Sequence, residues 1–163
     1  MIVQTENWLI IPVTFLIAFI LMLLPMPDWT AWLRPAWVLM VLIYWTMTAP
    51  HQVNLGIAWI VGVMMDLLNG TLLGEHALAL TIVTYLVVRM HARLRMFPLL
   101  QQGLSVFLLV LLYQFILFCI QGFIGELPSS WLYWLSAMTS MVLWPWVFNM
   151  IRDGRRRFRA ASL

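Results

Sequence analysis

Lysine is absent from this chain of 163 residues, and cysteine occurs once, as Cys119. A single cysteine closes no intrachain disulfide, so no disulfide framework holds the fold. Charge of either sign is scarce. Nine arginines and six carboxylates make up 9% of the residues, against 64% hydrophobic. A soluble domain carries roughly 25% charged residues, and the shortage excludes one of useful size. His51, His76 and His91 are spread over three loops or helix ends with no metal-ligand spacing. There is no glycine-rich phosphate loop, no nucleophile–base set and no pair of carboxylates at catalytic spacing, although Asp66 and Glu75 could flank a site. These absences point away from an enzyme, and no cofactor, metal ligand or catalytic residue is expected.

What the chain does contain is apolar runs. A transmembrane helix needs about 20 mostly apolar residues, and the runs 8–24, 35–49, 53–68, 75–90, 99–121 and 131–151 follow one another closely. The expected fold is an all-α polytopic membrane protein, one membrane domain over 1–163 with a basic tail at 152–163. Five or six spans fit, and six fits the charges best. The first run starts without a basic residue and ends in Leu24-Pro25-Met26-Pro27, unlike a cleaved signal peptide. Pro35 opens the second run, since proline suits a first helical position. Pro50 closes it, since the residue before a proline disfavours helix. Asn69-Gly70 and Gly74 separate the third run from the fourth, as a tight outer turn or a partly buried loop. Both of those runs are short. Short helices can line a cavity, or simply reflect local thinning and snorkelling.

Arginine placement predicts orientation. With six spans, the loop after the fourth and the C-terminal tail share one side and hold eight of the nine arginines. The positive-inside rule makes that side, and both termini, cytoplasmic. Arg34 then lies outside with Asp28, Glu75 and Glu126. Tryptophans favour headgroup depth, and the topology assigns Trp29, Trp32, Trp37, Trp131 and Trp134 to the outer interface. Trp8, Trp45, Trp144 and Trp146 fall at the inner one.

Few polar residues interrupt the apolar runs. Asp66 falls near the outer end of the third, either snorkelling toward water or pairing with Arg34. Gly62 and Ala58, on the same helix face, form a small-xxx-small row suited to close packing. The amide of Gln114 seeks a partner that the hydroxyls of Ser136, Thr139 and Ser140 on the sixth run could supply, and Cys119 reads as a small buried hydrophobe. In the tail, Arg152, Arg155, Arg156, Arg157 and Arg159 serve as a topogenic stop and a contact for anionic lipid, or for an acidic partner. So short a segment argues against nucleic acid.

Five motifs in register carry a family resemblance: Arg34-Pro35-Ala36-Trp37; Leu42-Ile43-Tyr44-Trp45; Pro50-His51-Gln52-Val53-Asn54-Leu55-Gly56; Gly62, Asp66, Gly70 and Gly74; and Leu143-Trp144-Pro145-Trp146. In order, spacing and length the chain resembles the bacterial rod shape-determining MreD family, in its proteobacterial form. The resemblance implies an inner-membrane scaffold of the cell-elongation machinery, or elongasome. Its implied partners are MreC, MreB and the RodA–PBP2 peptidoglycan synthase, beside membrane lipids. It also implies a fold similar to the substrate-binding membrane subunits of energy-coupling-factor transporters. A small-solute-binding transporter subunit is therefore the alternative function. No catalytic residue carries over, and Arg34, Gly62, Asp66, Gly70 and Gly74 enter as motif positions alone.

The arginine distribution generates a direct expectation. A reporter active only in the periplasm, fused after residue 163, should stay silent, while one fused near residue 72 should be active. Strong periplasmic activity at the C-terminus would remove the six-span arrangement.

Overall fold

Prolines and glycines punctuate the chain into six α-helices among the residues that the computed structural model describes, 7–30, 33–128 and 131–161. These are α1 (Asn7–Leu23), α2 (Trp37–Thr48), α3 (Leu55–Asn69), α4 (Glu75–Met96), α5 (Leu99–Ile124) and α6 (Leu135–Ala161). One turn of 3-10 helix, Trp131–Trp134, leads into α6. No described residue is in a strand. Trp32, assigned above to the outer interface, lies outside the described residues.

The bundle is built around α2. Every residue from Val38 to Met47 is buried, the signature of a helix with neighbours on all sides. Those neighbours are α1, α4, α5 and α6, while α3 packs on α4. Twelve residues rise about 18 Å, well short of a hydrocarbon core of about 30 Å. Among the outer helices, α4 and α5 are long and apolar enough to cross a membrane, and α1 and α3 are apolar but shorter. The outside of the bundle is as apolar as its inside. Leu16, Ile20, Leu104, Leu108, Phe115 and Val142 are all more than half exposed. A surface of that kind suits hydrocarbon, where helices are viable because they satisfy their backbone groups internally.

Several helix ends differ from the sequence expectation, each for a visible reason. α2 begins at Trp37 rather than Pro35 because α6 holds the preceding segment in a non-helical course. The Ser136 hydroxyl donates to the Arg34 carbonyl at 2.7 Å, and the Ala36 N–H donates to Ser140 Oγ at 3.1 Å. α4 runs past residue 90 to Met96, stopping before Pro98, with Arg93 and Arg95 in its last turn. Cations there complement the helix dipole. The arginines of 152–159 continue α6 as helix instead of forming a separate tail, and Pro145 becomes an interior residue.

Two tryptophans are core, not interface. Trp45 and Trp144 are wholly buried. Each satisfies its indole N–H, as buried tryptophans do: Trp45 donates to Thr14 Oγ1 at 2.8 Å, Trp144 to Gln102 Oε1 at 3.4 Å. Trp8, Trp29, Trp131 and Trp146 are exposed. Cys119 is exposed too, not buried as expected, because it falls on the outward face of α5.

Helices α3 and α4 approach each other closely at Gly62. A Cβ placed on Gly62 would lie 2.2 Å from Ala77 Cα and 2.6 Å from its nitrogen. Backbone, not a movable side chain, occupies the space. The small row on α3, Ala58 and Gly62, is therefore used within the chain. Gly62→Ala should cost about 1–3 kcal/mol as overpacking, read as a lower denaturation midpoint in detergent. Gly154, with open space around its Cα, is the counterpart. Gly154→Ala should stabilise α6 by up to about 1 kcal/mol.

Candidate functional site

Asp66 is 1% exposed in a protein that offers almost no water. On insertion scales a mid-bilayer carboxylate costs about 2.5–3.5 kcal/mol, and the burden falls where hydrogen bonds satisfy the group. Here four donors converge on it. Gly74 N–H reaches Oδ2 at 2.8 Å. His76 N–H reaches Oδ1 at 3.0 Å and His76 Nδ1–H at 2.7 Å, and the Thr71 hydroxyl joins them at 3.0 Å. The Asp66 carbonyl also takes the N–H groups of Gly70 and Thr71. One residue thereby closes the C-terminus of α3 and caps the first turn of α4, where a negative group also opposes the helix dipole. The turn requires left-handed backbone at Gly70 and Gly74, with φ of 68° and 101°. Glu75, buried beside it, accepts from Gln121 Nε2 at 3.0 Å and ties the same turn to α5.

Asp66 thus neither snorkels nor pairs with Arg34. Arg34 instead donates from Nη1 to the Met22 carbonyl at 2.8 Å and from Nη2 to the Leu24 carbonyl at 2.7 Å. Those are orphan acceptors at the end of α1, which basic side chains commonly satisfy. Each group has nearer partners than the other, Asp66 in the turn that follows it and Arg34 at the end of α1. Gln114 also departs from expectation. Its Nε2 donates to the Tyr133 carbonyl at 2.9 Å, because Ser136, Thr139 and Ser140 direct their hydroxyls to backbone carbonyls.

Between these two polar clusters lies a cavity of about 380 Å³. Arg34, Trp37, Asn69, His76, Gln114 and Tyr133 contribute to its wall. Asp66 is not part of the wall but holds His76, which is. Two polar atoms of the wall residues, Arg34 Nε and Gln114 Oε1, are buried without a partner. Among the motif positions, Arg34, Pro35 and Trp37 line the cavity, and Asp66, Gly70 and Gly74 shape the turn beside it. Pro50, Asn54 and Gly56 belong to the other end of α3. There Asn54 Oδ1 caps the helix by accepting from Gly56 and Ile57 N–H at 3.0 and 3.4 Å. Trp144 and Pro145 pack within α6. No cluster of three potential metal ligands occurs among the described residues.

The basic end of α6 is likewise more structured than a tail. Arg152 lies over Phe148 and Arg155 over the Trp45 ring, 5.7 and 5.8 Å from the centroids. Arg152, Arg156 and Arg157 are exposed, whereas Arg155 and Arg159 are half-buried.

The model of the family described as rod shape-determining protein MreD matches residues 3–153. The chain belongs to the MreD family. Among curated proteins, the rod shape-determining protein MreD of Haemophilus influenzae is 36% identical over 153 residues, 94% of each chain. No solved structure matches the chain. The span matched to the MreD family takes in the Asp66 turn and the whole cavity wall.

Sequence reasoning placed Asp66 and the two glycines but missed His76 and Thr71. Their signal was the spacing across a double-glycine turn, which brings the start of α4 back onto the end of α3. The geometry sets a clear stability expectation. Asp66→Ala strands three different donor residues and should cost on the order of 3–5 kcal/mol. In double-mutant cycles, Asp66 and His76 should couple by more than about 1 kcal/mol, whereas Asp66 and Arg34 should add to within about 0.5 kcal/mol. Unfolding midpoints in detergent measure both, and strong Asp66–Arg34 coupling would contradict the bonding described.

Proposed function

We propose that the protein is a non-enzymatic membrane scaffold of the cell-elongation machinery, which maintains rod shape by joining MreC and supporting lateral peptidoglycan synthesis. The observation that carries this reading is the family match over residues 3–153. Membership gives the coarse role, a membrane-associated protein that determines cell shape. The finer assignment rests on how little chain projects from the bundle. The links between described helices are short, the longest joining α1 to α2. Partners must then be held mainly by helix faces, where shape and small residues decide fit in lipid.

In this reading the chain crosses the bacterial inner membrane several times with both termini cytoplasmic. MreC is the direct partner, with MreB and the RodA–PBP2 synthase in the same assembly. The exposed Arg152, Arg156 and Arg157 meet anionic lipid at the cytoplasmic surface, each worth about 1 kcal/mol. The matched family and relative are both described by shape determination and neither by transport, so the solute-binding subunit is set aside.

Depletion should turn rods into spheres, and MreC should be retained on the tagged protein through purification in mild detergent. Cells that stay rod-shaped on depletion would end the proposal. So would a well-folded preparation that never retains MreC.

A further inference from the structure

The cavity beside the Asp66 turn gathers polar groups whose needs the chain leaves unmet. It is formed where α1 ends, α3 turns into α4 and α6 begins, at the end of the bundle opposite the arginine-bearing ends of α4 and α6. The strongly exposed Trp29 and Trp131 flank that end, and exposed indoles favour headgroup depth. Arg34 supplies a permanent positive charge, since a guanidinium is not deprotonated in proteins. Two of its five N–H donors go to carbonyls, and Nε has no partner. No described carboxylate lies within ion-pair distance of it. Gln114 is 5% exposed, and its Oε1 accepts from nothing.

The unmet needs are therefore an anionic acceptor at Arg34 and a hydroxyl donor at Gln114. A phosphate ester bearing a free hydroxyl supplies both within one small group. The volume agrees. About 380 Å³ is near the lower end of ligand pockets, which run from about 300 to 1,000 Å³. That is room for a headgroup, with acyl chains left outside along the apolar exterior.

We infer that this cavity binds the headgroup of an anionic phosphate ester, Arg34 holding the phosphate and Gln114 accepting from a headgroup hydroxyl. The site goes beyond the scaffold reading and does not depend on it; only the leaflet assigned to it follows from the proposed topology. The same chemistry has two sources, a phosphatidylglycerol-type lipid or a soluble polyol phosphate.

Native mass spectrometry of the full chain, released from neutral detergent after equilibration with phosphatidylglycerol or phosphatidylcholine, tests the inference. The wild type should retain phosphatidylglycerol in preference to phosphatidylcholine. Arg34→Gln should weaken retention by about tenfold, the scale of a charge-assisted hydrogen bond. Because Arg34 also closes α1, a second variant guards against misfolding. Asn69→Asp adds a negative charge at an exposed wall residue without removing a buried group, and should weaken retention severalfold. Cys119→Ala, on the outward face of α5 and away from the cavity wall, should leave it unchanged. Displacement by millimolar glycerol 1-phosphate would identify the soluble ester as a sufficient ligand, and its failure would identify the lipid. Equal retention of both lipids overturns the inference, as does retention unaffected by Arg34→Gln and Asn69→Asp. Loss seen only when Arg156→Gln and Arg157→Gln are combined, and not with Arg34→Gln, would place the lipid on the arginine surface of α6 and overturns it too.

Discussion

A carboxylate buried in an apolar bundle dictates how the α3–α4 half of this protein is built. Asp66 draws in the N–H groups of Gly74 and His76, the His76 ring and the Thr71 hydroxyl, and in doing so it sets the path of the chain between two helices. Gly70 and Gly74 follow from that path, because the tight reversal calls for left-handed backbone twice. Gly62 follows as well. Once the end of α3 is fastened to the start of α4, the two axes are so close that no side chain fits opposite Ala77. The polar clasp and the missing side chain are two parts of one joint.

The rest of the bundle has a different logic. α2 is too short to span a bilayer and too apolar to face water, and the other helices wrap it. Burial among equally apolar neighbours gives little direction in a lipid environment, since lipid tails are as apolar as leucine. Direction comes instead from a few polar contacts placed at the ends. Ser136 and Ser140 hold the entry to α2, Arg34 closes α1, and Gln102 joins the Leu94 carbonyl to Trp144. Shape fills the middle, and hydrogen bonds set the ends.

That division explains how much could be read from residues alone. Helix positions were legible because prolines, Asn54 and the glycine pairs mark ends by local backbone rules that hold in any solvent. The partners of buried polar groups were not. Arg34 and Asp66 looked like a pair because opposite charges on one face attract, yet each found uncapped backbone groups closer by, and helix ends cannot be assigned partners before their turns are known. Trp45 and Trp144 were misplaced for a related reason. An indole at the right depth reads as an interface anchor unless a hydroxyl or amide on a neighbouring helix, here Thr14 or Gln102, draws it inward. Cys119 carries no periodic signal that separates the inner from the outer face of a uniformly apolar α5. The cavity wall combines α1, α2, α3, α4, α5 and α6, so it belongs to tertiary structure alone.

The continuity of α6 has a mechanical consequence. At about 1.5 Å per residue, its 27 residues make a rod of roughly 40 Å with arginines at one end and the Ser136–Ser140 clasp at the other. The rod is notched once, at Pro145, where a missing N–H loosens the helix. A tug or tilt applied to the charged end is transmitted along a single stiff member to the segment that carries Arg34. The arginine cluster and the Arg34 segment are thereby geared together through one helix, with the proline as its flexure.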